Sequence, residues 1–173
     1  LPNSVTIISG SNNVYRDTYA VVGTLAIGSG DDRLPTSTLL HIGNGAEVAS
    51  ATFDLNGFNQ RIGGLISDGT NMPVFVTNSA AGITSRLTIN TAAPRLYRGS
   101  IIGDIELVKT GTGMQELRGI STYTGQTIVS NGTLRLNGAH FGGGQYSVMS
   151  GATLSGTGLI DAAVHILADG IVA

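Results

Sequence analysis

Apolar and polar residues alternate along this chain in short phrases, and most phrases close on Asn or Gly. The pattern of an apolar residue, any residue and a second apolar residue appears as Leu25-Ala-Ile27-Gly28, Leu40-His-Ile42-Gly43, Phe53-Asp-Leu55-Asn56, Leu87-Thr-Ile89-Asn90 and Leu134-Arg-Leu136-Asn137. Ile105-Glu-Leu107 has the alternation without the closing residue. In a strand, successive side chains point to opposite faces, so the flanking pair is expected in a core. The middle residues Ala26, His41, Asp54, Thr88, Glu106 and Arg135 are then expected to face solvent. The spacings between these phrases, 15, 13, 34 and 47 residues, predict loops of unequal length, with an insertion around Ser67 to Pro73.

Glycine supplies a stricter period. Gly113, Gly132, Gly151 and Gly170 are nineteen residues apart, and three of them open matching phrases: Gly132-Thr-Leu134, Gly151-Ala-Thr-Leu154 and Gly170-Ile-Val172. Alternating runs precede these phrases at Thr127 to Val129, Ser147 to Met149 and His165 to Leu167. A unit this short cannot bury its own apolar face, so copies must stack and share one core. With strands and no helix in each unit, the expected fold is all-β: a parallel β-helix (β-solenoid) with rungs of about 19 residues or longer and irregular loops. Residues 1–173 read as a single β-solenoid segment of a longer exported protein, with the clearest repeats over 107–173.

Composition agrees. Glycine makes up 26 of 173 residues, about twice the ~7% usual share, and the charged fraction of 12% is about half the usual ~25%. The chain has 19 Thr, 15 Ser and no Cys or Trp. Threonine suits a pleated surface and leaves a hydroxyl for neighbouring rungs. No window longer than twelve residues lacks both Gly and Pro, and the longest, Ser11 to Val22, has no helical period. Nine basic residues are scattered and the net charge is −2, which argues against nucleic acid as a partner. Absent cysteine excludes a disulfide framework and a thiolate metal site. No run of 18 apolar residues exists, so no membrane-spanning helix is expected.

Chemistry-bearing residues are few. Asp31-Asp32, with Asp17 and Asp68 elsewhere, could serve calcium or an acid pair for polysaccharide cleavage, but their place between Gly30 and Pro35 favours a turn. His41 and His165 occupy middle positions of strand phrases, and no convergent partners accompany these or His140. Lys109-Thr-Gly-Thr-Gly113 lacks both the order and the helix of a phosphate loop, and Gly142-Gly-Gly144 reads as a tight corner. Asn56, Asn90 and Asn137 are expected at corners, with stacked amide ladders possible. Tyr15, Tyr19, Tyr97, Tyr123 and Tyr146 would form a binding surface only if stacking aligned them in the open. The Asn131-Gly-Thr133 triplet matches an N-glycosylation acceptor, a match short enough to arise by accident. No catalytic, cofactor-binding or metal-ligating residue is assigned.

Leu107-Val-Lys-Thr-Gly-Thr-Gly-Met-Gln-Glu-Leu117, Ser121-Thr-Tyr-Thr-Gly-Gln-Thr127 and Asn131-Gly-Thr-Leu-Arg-Leu136 together resemble the autotransporter-associated β-strand repeat of bacterial passenger domains. The family phrase is Leu-x-Lys-x-Gly-x-Gly, then Asn-Thr-Tyr-x-Gly-x-Thr, then Gly-Thr-Leu. Ser150-Gly-Ala-Thr-Leu-Ser-Gly-Thr-Gly158 is similar to a following rung, and Phe53 to Gln60 to segments that precede such repeats. The close match covers residues 107–160, with a looser one from near residue 34. Ser121 in place of Asn, and Met114-Gln-Glu in place of small residues, are expected to change turns locally.

The resemblance implies a right-handed parallel β-helix, extracellular or on the bacterial cell surface, used as an adhesin stalk or scaffold, without enzymatic activity. Seven to nine rungs would span roughly 35 to 45 Å. Open ends would allow copies to stack into filaments. The alternatives are a carbohydrate-binding module or a polysaccharide-degrading β-helix enzyme, with a glycan or matrix protein as partner.

Overall fold

The computed structural model describes residues 4–10, 13–43, 49–67 and 73–173. The chain winds through eight turns of about 20 residues. The first turn holds β1 (Val5–Ile8) and β2 (Asp17–Ala20), and the second β3 (Gly23–Ile27) and β4 (Leu39–Ile42). The third holds β5 (Ala51–Asp54), β6 (Gln60–Ile62) and β7 (Gly64–Ser67), the fourth β8 (Val74–Asn78), β9 (Ser85–Asn90) and β10 (Arg95–Tyr97). The fifth holds β11 (Ser100–Gly103), β12 (Ile105–Thr110) and β13 (Met114–Leu117), the sixth β14 (Ile120–Ser121), β15 (Thr127–Val129) and β16 (Thr133–Leu136). The seventh holds β17 (Ala139–His140), β18 (Tyr146–Val148) and β19 (Thr153–Ser155), the eighth β20 (Leu159–Ile160), β21 (Val164–Ile166) and β22 (Ile171–Val172). No helix occurs among the described residues.

Three parallel walls result. The first runs β1-β3-β5-β8-β11 and continues through β14-β17-β20, joined where the Thr122 amide donates to the Ile101 carbonyl at 3.0 Å. The second runs β2-β4-β7 and continues through β10-β13-β16-β19-β22. The third, β6-β9-β12-β15-β18-β21, begins only at the third turn. At the second turn its place is taken by the loop carrying buried Leu34. The parallel β-solenoid read from the sequence is therefore the observed fold.

The unequal phrase spacings have a second cause beside loops of unequal length. The apolar phrases build different walls: Leu25 and Phe53 belong to the first, Leu40 and Leu134 to the second, Leu87 and Ile105 to the third. Within a wall, late turns are regular, with Leu107 opposite Thr127 and Thr127 opposite Tyr146. Early turns are longer, with Gly23 opposite Ala51. The glycine period is also an average. Met114, Thr133, Thr153 and Ile171 are in register, so steps of 19, 20 and 18 residues bring Gly151 one place out of line with Gly132. Of the expected insertion, residues 68–72 lie outside the described residues.

Register lines up the core. On the third wall, Ile62, Ile89, Lys109, Val129, Val148 and Ile166 form one column. On the first, Phe53, Val76 and Ile101 are fully buried, and the column continues through Ser121, His140 and Ile160. The predicted flanking pairs are buried as expected except Leu25, which is half-buried. Among the middle residues, Arg135 is exposed and His41, Thr88 and Glu106 are half-exposed, whereas Ala26 and Asp54 are buried. Asp54 is covered because its carboxylate accepts from the Asn56 amide at 2.9 Å and from the Ser79 amide and hydroxyl at 3.0 and 2.6 Å.

Where backbone pairing lapses, side chains substitute for it. Ser67 accepts from the Arg98 amide at 2.9 Å, and Ser121 from the Ile101 amide at 3.1 Å. The Gln60 amide group both accepts from the Leu34 amide and donates to its carbonyl, at 3.0 and 3.1 Å. Gln115 does the same for Leu65 at 3.1 and 2.9 Å, fifty residues away. Buried backbone groups left unpaired are costly, so these four side chains hold the walls together at their joints.

Corners must also let turns approach closely. A Cβ on Gly144 would sit 2.0 Å from the Gly125 carbonyl oxygen, while a Cβ on Gly143 would meet nothing within 4 Å. Gly143 has φ of 76°, so alanine there carries only the left-handed penalty of about 1–2 kcal/mol. We expect Gly144→Ala to lower the urea unfolding midpoint by about twice as much or more, because backbone must move apart. Equal shifts would show that the sixth and seventh turns are not in contact there.

Candidate functional site

The acids singled out in the sequence are used as struts between turns. Asp31 accepts from the Asn59 amide at 2.8 Å and from its side-chain nitrogen at 2.9 Å; Asp32, with φ of 51°, accepts from the Arg61 amide at 2.7 Å. All three bonds tie the second turn to the third, as turn residues would. Asp17 stands apart on β2, and Asp68 lies outside the described residues. Among the described residues no three His, Cys, Asp or Glu side chains gather where a metal ion could be held.

The asparagines lie on three different corners and form no common stack. Asn56, with φ of 48°, follows β5, Asn90 ends β9 and Asn137 follows β16. Each bonds instead to a chemically different neighbour. Asn56 donates to the Ile27 carbonyl at 2.9 Å, Asn90 lies 3.2 Å from the Thr110 hydroxyl, and Asn137 donates to Glu116 at 2.8 Å. Burial pushes the Glu116 carboxyl up, but the bonds from Arg118 and Asn137 and the charges of Arg118 and Arg135 hold it below the usual range.

The tyrosines divide. Tyr97, Tyr123 and Tyr146 are core residues, and Tyr15 and Tyr19 are exposed, so no continuous aromatic row lies on the surface. Tyr19 stacks on His41 with ring centres 4.5 Å apart. His165 is exposed on β21 as expected. His140 is fully buried, stacked on Tyr123 at 4.0 Å, with Nδ1 3.0 Å from the Tyr146 hydroxyl and Nε2 2.8 Å from the Tyr123 carbonyl oxygen. The sequence analysis left His140 without a role. Its register with Ser121 and Ile160 in an inward column was the available signal.

Lys109 is a second buried polar group that the strand phrases did not mark. It shares inward parity with Ile105 and Leu107, and its ammonium donates to the carbonyls of Thr110, Gly111 and Asn131 at 2.6, 2.9 and 3.1 Å. Burial lowers its pKa to about 8, which leaves it protonated at neutral pH. The Lys-Thr-Gly-Thr-Gly stretch thus gathers its own carbonyls around a lysine, the reverse of an anion cradle.

The C-terminal end of the coil, like the N-terminal end with exposed Val5 and Ile7, is left uncovered by the fold's own contacts. The eighth turn leaves Leu159, Ile166 and Val172 each more than half exposed, at 56%, 54% and 53%. Ile166 and Val172, together with Leu136, Leu154, Ile160 and Val164, border an open, mostly apolar hollow of about 280 Å³. β20, β21 and β22 each have a ladder partner on one side only. This end is the candidate interaction surface.

Residues 107–136 match the sequence model of the passenger-associated-transport-repeat family, a segment running from β12 to β16. That segment is an autotransporter passenger repeat, and with the stacked parallel turns the chain has the character of a passenger-type β-helix. No curated protein and no solved structure matches the chain. The match includes Lys109, whose role predicts a stability effect. Lys109→Met removes the donor from three carbonyls and is expected to cost about 1–3 kcal/mol, read as a lowered urea midpoint. An unchanged midpoint would show that water replaces the ammonium.

Proposed function

We propose that this passenger-type β-solenoid is a structural, non-enzymatic module: a surface-exposed or secreted stalk or scaffold whose stacked turns can continue into a second copy. The observation that carries this reading is the eighth turn, with its exposed apolar side chains and three strands unpaired on their outer edge. Unpaired edges invite further strands, and repeat arrays propagate by adding equivalent units. The match to a passenger repeat supports export to the cell surface or beyond. A non-enzymatic role is supported by the corner acids, each satisfied by a neighbouring turn.

A second reading, glycan or matrix-protein binding by the side of the rod, rests on the exposed Tyr19 and its stack with His41. Flat aromatic surface with a polar edge suits such partners.

Electron microscopy over a concentration series separates the outcomes. End-to-end assembly predicts rods of about 35–40 Å that lengthen with concentration. The double variant Leu159→Lys, Ile166→Lys is expected to abolish lengthening while the far-UV β-sheet signal is retained. Single short rods at every concentration would overturn self-assembly and leave a monomeric stalk.

A further inference from the structure

Turns six and seven are joined on the inside of one corner by four polar side chains sealed from solvent. Thr127 lies at the start of β15, Tyr146 at the start of β18, His140 at the end of β17, and Tyr123 in the segment between β14 and β15. All four are buried. The Tyr123 hydroxyl is 2.6 Å from the Thr127 hydroxyl and 3.2 Å from the Tyr146 hydroxyl, which is in turn 3.0 Å from His140 Nδ1. A carbonyl oxygen only accepts, so the 2.8 Å contact from His140 Nε2 to the Tyr123 carbonyl places the proton on Nε2. Nδ1 is then the acceptor for Tyr146. The ring is neutral in this arrangement and bonded at both nitrogens.

We propose that this cluster is an acid-sensitive latch: protonation of His140 loosens the joint between the sixth and seventh turns and frees the last two turns of the coil. The hydroxyl chain could reverse direction to accept a proton at Nδ1, so hydrogen bonding alone does not forbid the charge. What is missing is a counter-charge. On β14 the ladder neighbour is Ser121, and on β20 it is Ile160. β15 and β18 contribute Thr127 and Tyr146, and Tyr123 lies against the ring face. The tyrosines, the only titratable groups among these, are held neutral by burial, which raises them above their usual value. Asp161 meets His140 through its backbone amide, which donates to the His140 carbonyl at 2.9 Å, and its side chain is on the exposed surface. Asp104, on the turn before, is taken up by the Thr84 hydroxyl at 2.9 Å and that of Thr124 at 3.5 Å. Water cannot easily enter either, because Gly142 packs so closely that a Cβ there would lie 2.8 Å from His140 Nε2 and closer still to the Tyr123 carbonyl.

The direction of the pH effect follows. Burial lowers the His140 pKa from 6.5, partly opposed by the bond to Tyr123, so the folded turn holds fewer protons than the opened one below pH 6.5. Stability from the latch is complete above pH 6.5 and is lost as pH falls toward the folded value. Across that window the opening constant rises about tenfold per pH unit, one proton per opening. Glu116, held below the usual carboxylate range, acts only at more acid pH.

Nuclear magnetic resonance of the imidazoles in the whole chain tests the proposal, with exposed His165 as the internal reference. His140 should remain the neutral Nε2–H tautomer at the pH where His165 is half protonated. Corrected amide exchange at Thr127, Phe141 and Met149, whose amides bond across the joint, should rise about tenfold per unit below pH 6.5 while that of Leu55 and Gly63 in the third turn stays level. The pH dependence of late-turn exchange should vanish in His140→Gln. If that variant does not fold, the wild-type measurements decide alone. Titration of His140 together with His165, or equal acid sensitivity in the third turn, would overturn the latch.

Discussion

Every wall of this molecule depends on one contact, the backbone amide of one turn bonded to a carbonyl of an adjacent turn. Because strands of all three walls are parallel, each ladder bond joins residues roughly one turn apart. Among the described residues no hairpin closes locally. The cross-section is also small, so the inward residues of each strand must fill the space that a thicker protein fills with a second layer. The chain therefore tolerates changes in loop length far better than changes in register. A one-residue slip would exchange the inside and outside of a strand. The step from Gly132 to Gly151 shows the remedy: the extra residue is absorbed at the corner, and Leu134 still stacks on Leu154.

The same constraint explains why polar groups occupy the core. Where walls meet, or where a strand bows away from its neighbour, backbone groups lose their partners inside a space closed to water. Ser67, Gln60 and Gln115 supply the missing donor or acceptor from side chains. Lys109 does so for three carbonyls at one corner, and His140 with its tyrosines does so at another. None of these groups converges on an open cavity. Their positions follow from the accounting of backbone hydrogen bonds, which is the physical basis for treating the chain as a framework.

Much of this was legible in the sequence. Alternation at Leu87-Thr-Ile89 and Leu134-Arg-Leu136 located strands and their inward faces, and glycine spacing gave the approximate turn length. The three-walled section was not legible, because a strand phrase carries no mark of the wall it joins. Asn56, Asn90 and Asn137 look alike in sequence yet occupy three corners. Lys109, His140 and Tyr123 were hidden for another reason. Composition assigns such residues to the surface, and only parity with their aliphatic neighbours places them inside. The C-terminal apolar end was visible as Ile171-Val172 after Gly170, but its exposure depends on the third dimension.

As a framework of stacked parallel turns, the chain fits a passenger-type β-helix. That account stands on the regular stacking of turns. The absence of cysteine permits clean paired labelling. A spin label fixed at Arg61 in the third turn can be paired in turn with labels at exposed Gln126, Gln145 and Ala163, which lie in the sixth, seventh and eighth turns. Stacked turns require the mean distance to grow by about 5 Å at each step. Distances that fail to increase in that order would contradict the solenoid itself.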